Sequence, residues 1–308
     1  MVATTSERSP VASAVADAAE DPAGAAPGSP LPAMLHVINL DGANARLADV
    51  VAGHRRHLHP AGIGLTRFRA CDRAEADALR IPGGITPVEK ACFVSHARCL
   101  RQAVRDGAMP WIVEDDVVFG ASTVQRVRSA LQALDGRPWD ILFTDTQLTD
   151  VHAVVDLFRA WRGIGDSGRT RLLDLTGMAW IGASSYLVNP ASVPRLLACI
   201  EAARSLDLAW DIWLKVVAGQ AGFTCLSVFP FATTTAGLPS QVQSDPVAAQ
   251  VAWWAAFGRM TWEHADADAL DALFARLGQP DDPHARGLGR IVAAMSAMDS
   301  GCPGSGTG

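Results

Sequence analysis

Pro110-Trp111-Ile112-Val113-Glu114-Asp115-Asp116-Val117-Val118-Phe119 sets three consecutive carboxylates between two short apolar runs. Ordinary surface acids sit among polar neighbours, so this placement asks for a reason. The apolar run Trp111–Val113 reads as a buried strand, entered from the turn residues Asp106-Gly107 and Pro110. If the chain stays extended, alternation puts Glu114 and Asp116 on one face and Asp115 on the other. Crowded carboxylates repel one another, which disfavours their charged forms unless a cation or hydrogen-bond donors compensate. Two hard oxygen ligands at the end of a sheet strand suit Mg²⁺ or Mn²⁺ held against a diphosphate. The plainer reading is a solvated acidic turn.

Outward from this stretch, apolar runs alternate with amphipathic segments, the pattern of an α/β domain. Met34–Leu40 reads as a first strand, with Asn39-Leu40-Asp41-Gly42 turning into a helix through Arg46 to Leu58. Leu65–Ala70 is a second strand. Thr86-Pro87-Val88-Glu89 gives a helix start with a cap, a proline at the first helical position and a capping-box acid. On that helix Glu89, Cys92, His96, Cys99 and Ala103 share one stripe. A helix near Thr123–Leu134 and a strand Asp140–Phe143 follow. Asp174–Asn189 reads as strands around Gly177 and Gly182. Pro190–Ala203 and Leu208–Ala218 read as helices, and Phe223–Phe229 as a late strand. The implied organisation is a disordered leader at 1–33, one catalytic-size domain at 34–245, a helical extension at 246–300 and a flexible tail at 301–308. No internal repeat is present.

The chain has 308 residues, is 49% hydrophobic and carries a formal charge of −6. That is enough for a large core, and it excludes a nucleic-acid partner, because phosphate backbones need a basic face. The cysteines Cys71, Cys92, Cys99, Cys199, Cys225 and Cys302 form no Cys-x-x-Cys pair or zinc-finger spacing, and read as buried thiols of a reducing compartment, the cytoplasm by default. The leader lacks the basic start and apolar centre of a signal peptide, and no stretch reaches the length of a membrane span. Trp253, Trp254 and Trp262 give the extension its bulk. Packing onto the domain explains them better than a lipid interface, which needs more Lys/Arg opposite, though peripheral membrane contact stays open.

Four blocks, in order, resemble glycosyltransferase family 25, the lipopolysaccharide and collagen galactosyltransferase family. They are Val37-Ile38-Asn39-Leu40-Asp41 with Arg46; Thr86-Pro87-Val88-Glu89-Lys90-Ala91-Cys92-Phe93-Val94-Ser95-His96; Glu114-Asp115-Asp116; and Gly182-Ala183-Ser184-Ser185-Tyr186-Leu187-Val188, followed by Asp211, Pro230 and Ser240-Gln241-Val242. Gly42, Ala45 and Val88 depart from the usual pattern. The resemblance implies a glycosyltransferase A-type fold, a Rossmann-like mixed sheet flanked by helices. It also implies a nucleotide-sugar donor, divalent manganese and inversion at the anomeric carbon. A UDP-hexose, with galactose favoured, is the expected donor, and a glycan, lipooligosaccharide or other lipid-linked sugar the expected acceptor.

On this reading Glu114 and Asp116 hold Mn²⁺ (or Mg²⁺), whose charge stabilises the departing diphosphate. Asp115 contacts the ribose or braces the loop. Asp211 is the candidate base for the acceptor hydroxyl; the competing view makes it a first-turn helix acid behind a Ser205-Leu206-Asp207 cap. Asp145, after the Asp140–Phe143 strand, is the alternative base. Asn39, Arg46, Glu89, Ser95, His96 and Tyr186 complete the donor-binding set. Four of them have a plainer role: Arg46 as a solvated arginine, Glu89 as a capping glutamate, His96 as a core histidine and Tyr186 as a strand-buried tyrosine. A non-catalytic glycan- or nucleotide-sugar-binding protein is the competing function. A metal-dependent phosphohydrolase lacks a convincing His/Asp set.

Overall fold

The computed structural model describes residues 15–17, 31–105, 109–164, 169–236 and 261–262. The strands are β1 (Val15–Asp17), β2 (Met34–Asn39), β3 (Gly64–Arg69), β4 (Trp111–Glu114), β5 (Val117–Phe119), β6 (Ile141–Phe143), β7 (Gln147–Leu148), β8 (Arg171–Asp174), β9 (Trp180–Ile181), β10 (Ser185–Val188), β11 (Cys225–Phe229) and β12 (Thr233–Thr235). The helices are α1 (Asn44–His57), α2 (Arg73–Ala78), α3 (Pro87–Arg105), α4 (Thr123–Ala133), α5 (Val151–Ile164), α6 (Val193–Ala202) and α7 (Trp210–Ala221).

A mixed sheet of eight strands runs in the order β1-β8-β11-β6-β10-β4-β2-β3. Strand β2 is parallel to β3 and β4, while β10 is antiparallel to both β4 and β6. It follows that β2, β4 and β6 all point the same way and end at one edge. Alternation fills both faces. Leu35, Val37, Trp111, Val113 and Leu187 pack with Val50 of α1 and Val127 and Leu131 of α4. Ile38, Ile112, Phe143, Tyr186 and Val188 pack on the other side with Phe93 of α3, Leu157 of α5, Leu196 of α6 and Trp213 of α7. Burying each such side chain contributes about 1.5–3 kcal/mol. The expected α/β sheet with helices on both faces is what the chain forms.

Glu114 shares the parity of Ile112, so it emerges on the α3 side. The alternation does not continue through the acids, however. Strand β4 stops at Glu114, Asp115 and Asp116 occupy a turn, and β5 then pairs antiparallel with β12 in a separate small sheet. The face-by-face prediction for the triplet is corrected accordingly: the chain turns where three carboxylates would otherwise be stacked along one strand.

Helix α3 begins as its sequence dictates. The Thr86 amide donates to Glu89 Oε2 at 2.7 Å and the Glu89 amide donates back to Thr86 Oγ1 at 3.3 Å. Helices α2 and α5 go beyond the elements read from sequence. The first carries a complete Asp72/Glu75 capping box, and the second is started by Asp150, whose Oδ1 accepts from the Ala153 amide at 2.8 Å. The Ser205–Asp207 cap for α7 is not formed. Asp207 instead accepts from the Gly84 amide and Ser205 Oγ, and Ala209 precedes α7 without a side-chain cap. This contact is possible only because Gly83, at φ +131°, lies where a Cβ would sit 2.0 Å from the Leu206 carbonyl oxygen.

Within the segment 1–33, expected to carry no packed structure, β1 adds an edge strand to β8, and Leu31 packs against the α1/α4 side of the core. Of the 246–300 extension the described residues are Thr261 and Trp262. Trp262 is buried on the body, its Nε1 donating to the Ala232 carbonyl at 3.2 Å. Ser240-Gln241-Val242, Trp253, Trp254, Cys302 and the tail from 301 lie outside the described residues. Among the described cysteines none is in a disulfide; Cys71, Cys99 and Cys225 are buried as expected, whereas Cys92 and Cys199 are only half-buried. No helix among the described residues is long and apolar enough to cross a membrane.

Candidate active site

Because β2, β4 and β6 end at one edge, Asn39, Glu114–Asp116 and Asp145 gather there, where ligands bind in open α/β sheets. Each acid has a different environment. Asp115 is tied down: its Oδ2 accepts from Asn39 Nδ2 at 2.7 Å and its Oδ1 from Arg46 Nη1 at 3.0 Å. Asn39 Oδ1 in turn accepts from Arg67 Nε at 2.8 Å, and Arg67 pairs with Asp41. Asp115 and Arg46 therefore brace the acidic turn against the first strand and first helix. Their side chains are 9% and 16% exposed, so breaking the pair would strand a largely buried charge.

Asp116 has no such support. Its Oδ1 is buried without a hydrogen-bond partner. Desolvation, then the charge of Glu114, push its carboxyl well above the usual range, against the opposing pull of Arg46; Asp115 and Asp145 add to the rise. Asp145 is 8% exposed, accepts from Ser184 Oγ at 3.0 Å, and is pushed up to about 7 by burial, with Glu114 adding to it. Buried polar atoms in folded proteins are nearly always paired, so an orphaned carboxylate oxygen among further carboxylates calls for a partner, and a cation would serve as one. An all-oxygen, anionic donor set of this kind fits Mn²⁺ or Mg²⁺.

On the α3 side, His96 is 1% exposed and bridges two predicted site residues. Its Nδ1 lies 3.0 Å from Tyr186 Oη and its Nε2 lies 3.1 Å from Glu114 Oε1. A carboxylate only accepts, so Nε2 donates to Glu114, and in the neutral ring Nδ1 accepts from the Tyr186 hydroxyl. Burial holds the Tyr186 phenol well above its usual range, which keeps it a donor. The imidazole also stacks on Trp210 at 5.2 Å and 9°.

Asp211 lies in the first turn of α7. Its Oδ2 accepts from the Gly182 amide at 2.8 Å and its Oδ1 from the Ile212 amide at 2.9 Å. Gly182, at φ +88°, turns its N–H toward that carboxylate. The Cys92 thiol is raised well above its usual range, by desolvation first and then by the charges of Glu114, Asp211 and Glu89. Hydrogen bonds thus join Tyr186, His96 and Glu114 on one side and Asn39, Arg46 and Asp115 on the other, with Asp116 and Asp145 within reach of the Glu114 charge, whereas the Glu89 carboxylate is taken up by its Thr86 capping box. Ser95 belongs to neither, because its Oγ accepts from the Cys71 amide at 2.8 Å and donates to the Ala91 carbonyl at 2.7 Å. Sequence reasoning passed over Ser184, which positions Asp145. Cys92 was visible on the stripe as an i, i+4 neighbour of His96 but drew no role, and it makes no hydrogen bond to the acidic turn among the described residues.

The model for glycosyltransferase family 25 (LPS biosynthesis protein) matches residues 34–213. The chain belongs to glycosyltransferase family 25. Family membership makes it a glycosyltransferase, with a sugar donor and an acceptor, and ties it to lipopolysaccharide biosynthesis. Asn39, Arg46, the α3 stripe, the acidic turn, Tyr186 and Asp211 all fall inside the family 25 match. No match was found among curated proteins.

Proposed function

We propose that this glycosyltransferase moves a hexose, galactose favoured, from a UDP-sugar to a hydroxyl of a glycan, lipooligosaccharide or other lipid-linked acceptor. Transfer inverts the anomeric carbon, depends on Mn²⁺ or Mg²⁺, and takes place in the cytoplasm or at the inner membrane surface. The observation that carries this reading is the buried, unpartnered Asp116 Oδ1 in an acidic turn at the end of parallel strands. Asp116 and Glu114 would hold the cation, with Asp145 completing the anionic wall. When bound, the ion neutralises negative charge that grows on the leaving diphosphate.

The chain's own residues supply the rest. Asn39, Arg46 and Asp115 fix the turn's backbone, so that Glu114 and Asp116 are presented without rearrangement. His96, locked by Tyr186 and Trp210, sets the orientation of the Glu114 carboxylate. Inversion requires one carboxylate to take the proton of the attacking hydroxyl. Asp211 is assigned this role, held in place by the Gly182 and Ile212 amides. Asp145 is its rival, because burial has already moved its proton affinity close to neutrality.

The test is a thermal-shift screen of nucleotide sugars with and without Mn²⁺, since a ligand that binds only the native state raises its apparent stability. A UDP-hexose that shifts the transition only with a divalent ion supports the proposal. Absence of any metal-dependent shift across the donor panel would refute it. Donor binding without hydrolysis or transfer would favour the non-catalytic binding protein instead.

A further inference from the structure

Glu114 faces a second set of donors, chemically unlike the first. Cys92 and His96 stand four residues apart on α3, one turn apart on a single side of the helix. The Cys92 sulfur, a ring nitrogen of His96 and a carboxylate oxygen of Glu114 all lie within 4.8 Å of one another. The His96 ring is already oriented: Trp210 stacks on it, and Tyr186 Oη sits on Nδ1 at 3.0 Å, leaving Nε2 aimed at Glu114. A hydrogen-bond partner on the far ring nitrogen is the usual accompaniment of a metal-bound histidine. Sulfur and imidazole nitrogen select Zn²⁺, whereas the carboxylates around Asp116 suit Mn²⁺ or Mg²⁺.

We propose that Cys92, His96 and Glu114 form a Zn²⁺ site, and that zinc bound there draws Glu114 away from the donor-side cation and inhibits transfer. The inhibition half rests on the glycosyltransferase reading of Glu114; the binding half stands by itself. On binding, the Cys92 thiol releases its proton to buffer and ligates as thiolate. The His96 N–H passes from Nε2 to Nδ1 and donates a hydrogen bond to Tyr186 Oη, whose own hydroxyl hydrogen turns away from the ring so that the phenol becomes the acceptor. Glu114 exchanges its bond from His96 for the ion. No electron is transferred, and three protein ligands leave a fourth tetrahedral position for water.

The full-length chain, stripped with a chelator, is titrated with Zn²⁺ in competition with a chromophoric chelator. Co²⁺ serves as a spectroscopic probe for a thiolate-to-metal charge-transfer band. The expected result is one equivalent of tightly held Zn²⁺ and a thiolate–cobalt band in the wild type. In Cys92→Ser the affinity falls at least about tenfold and the band disappears, while Cys199→Ser behaves as wild type. Cys92→Ser should also keep Mn²⁺-dependent donor binding and resist zinc inhibition. No stoichiometric zinc, no thiolate band in the wild type, or unchanged affinity in Cys92→Ser overturns the site. The wild-type cobalt spectrum decides the matter even if the serine variant does not fold. Zinc that binds through Cys92 yet leaves Mn²⁺-dependent donor binding intact overturns the inhibition alone. Failure of every donor to bind with any ion refutes the proposed function and leaves the zinc measurement standing.

Discussion

Asp145→Asn in the metal-free protein should change how stability depends on pH. The native carboxyl titrates near 7 because it is buried, against an ordinary value of 3.8. Between those values the folded state keeps a proton that the unfolded state has released, so wild-type stability falls as pH rises through this window and levels off above it. About three units at 1.36 kcal/mol each set a ceiling near 4 kcal/mol. Relaxation and water entry should reduce the observable effect to about 2 kcal/mol, or about 5 °C for a body of this size. Asparagine keeps the size and an acceptor for Ser184 Oγ but cannot ionise. The difference between variant and wild type, measured by urea unfolding in chelator from pH 4.5 to 8, should therefore grow in the variant's favour up to pH 7. Saturating Mn²⁺ at pH 8 should narrow it. A difference that stays flat across the range would show that Asp145 is not held by burial in its protonated form.

The remaining expectations separate roles within the site. Asp116→Asn should weaken Mn²⁺ and metal-dependent donor binding at least about tenfold in titrations. Asp211→Asn should spare both while lowering turnover about 10²–10⁴-fold, as loss of a general base does; normal turnover would move the base to Asp145. His96→Ala deprives the buried Tyr186 hydroxyl of its acceptor, so a stability loss of about 1–3 kcal/mol should accompany weaker donor binding, and Tyr186→Phe in the same chain should recover part of the stability but not the binding. Arg46→Ala should cost about 3 kcal/mol by stranding Asp115, and adding Asp115→Asn should return part of it, a coupling that a double-mutant cycle reads directly.

What was legible in the sequence was whatever rests on local chemistry. Strand β4 announced itself by its apolar run, and α3 by Thr86, Pro87 and Glu89, whose capping contacts form as expected. The acidic triplet was visible, but its division of labour was not. Which acid is braced depends on Asn39 and Arg46, 76 and 69 residues away from Asp115, contacts that no local pattern encodes. Helix α2 was missed although Asp72-x-x-Glu75 signalled it, because its apolar face is too short to show periodicity. Helix α5 was missed despite Val154, Leu157, Phe158 and Trp161, an apolar stripe at helical spacing. Asp207 reads as a cap from spacing alone; only the close approach permitted by Gly83 gives it a different partner. Asp145 looked secondary because a lone acid after a strand carries little signal until Ser184 and Glu114 are seen beside it.

The bracing of the acidic turn has a consequence for ion choice. With Asp115 bolted to β2 and α1, and the Asp116 carbonyl accepting from the Ala236 amide at 2.8 Å beside the β5–β12 pair, the turn cannot splay to relieve repulsion among its carboxylates. On the proposed reading, that repulsion becomes the free energy released when a cation enters. A turn that cannot widen also fixes the radius of what it accepts. Ions near the size of Mg²⁺ and Mn²⁺ relieve the repulsion at short range, whereas Ca²⁺, with longer bonds and more ligands, would require the turn to open. Selectivity would then come from stiffness more than from the identity of the ligands, and loosening the brace at Arg46 would be expected to blur it before abolishing binding.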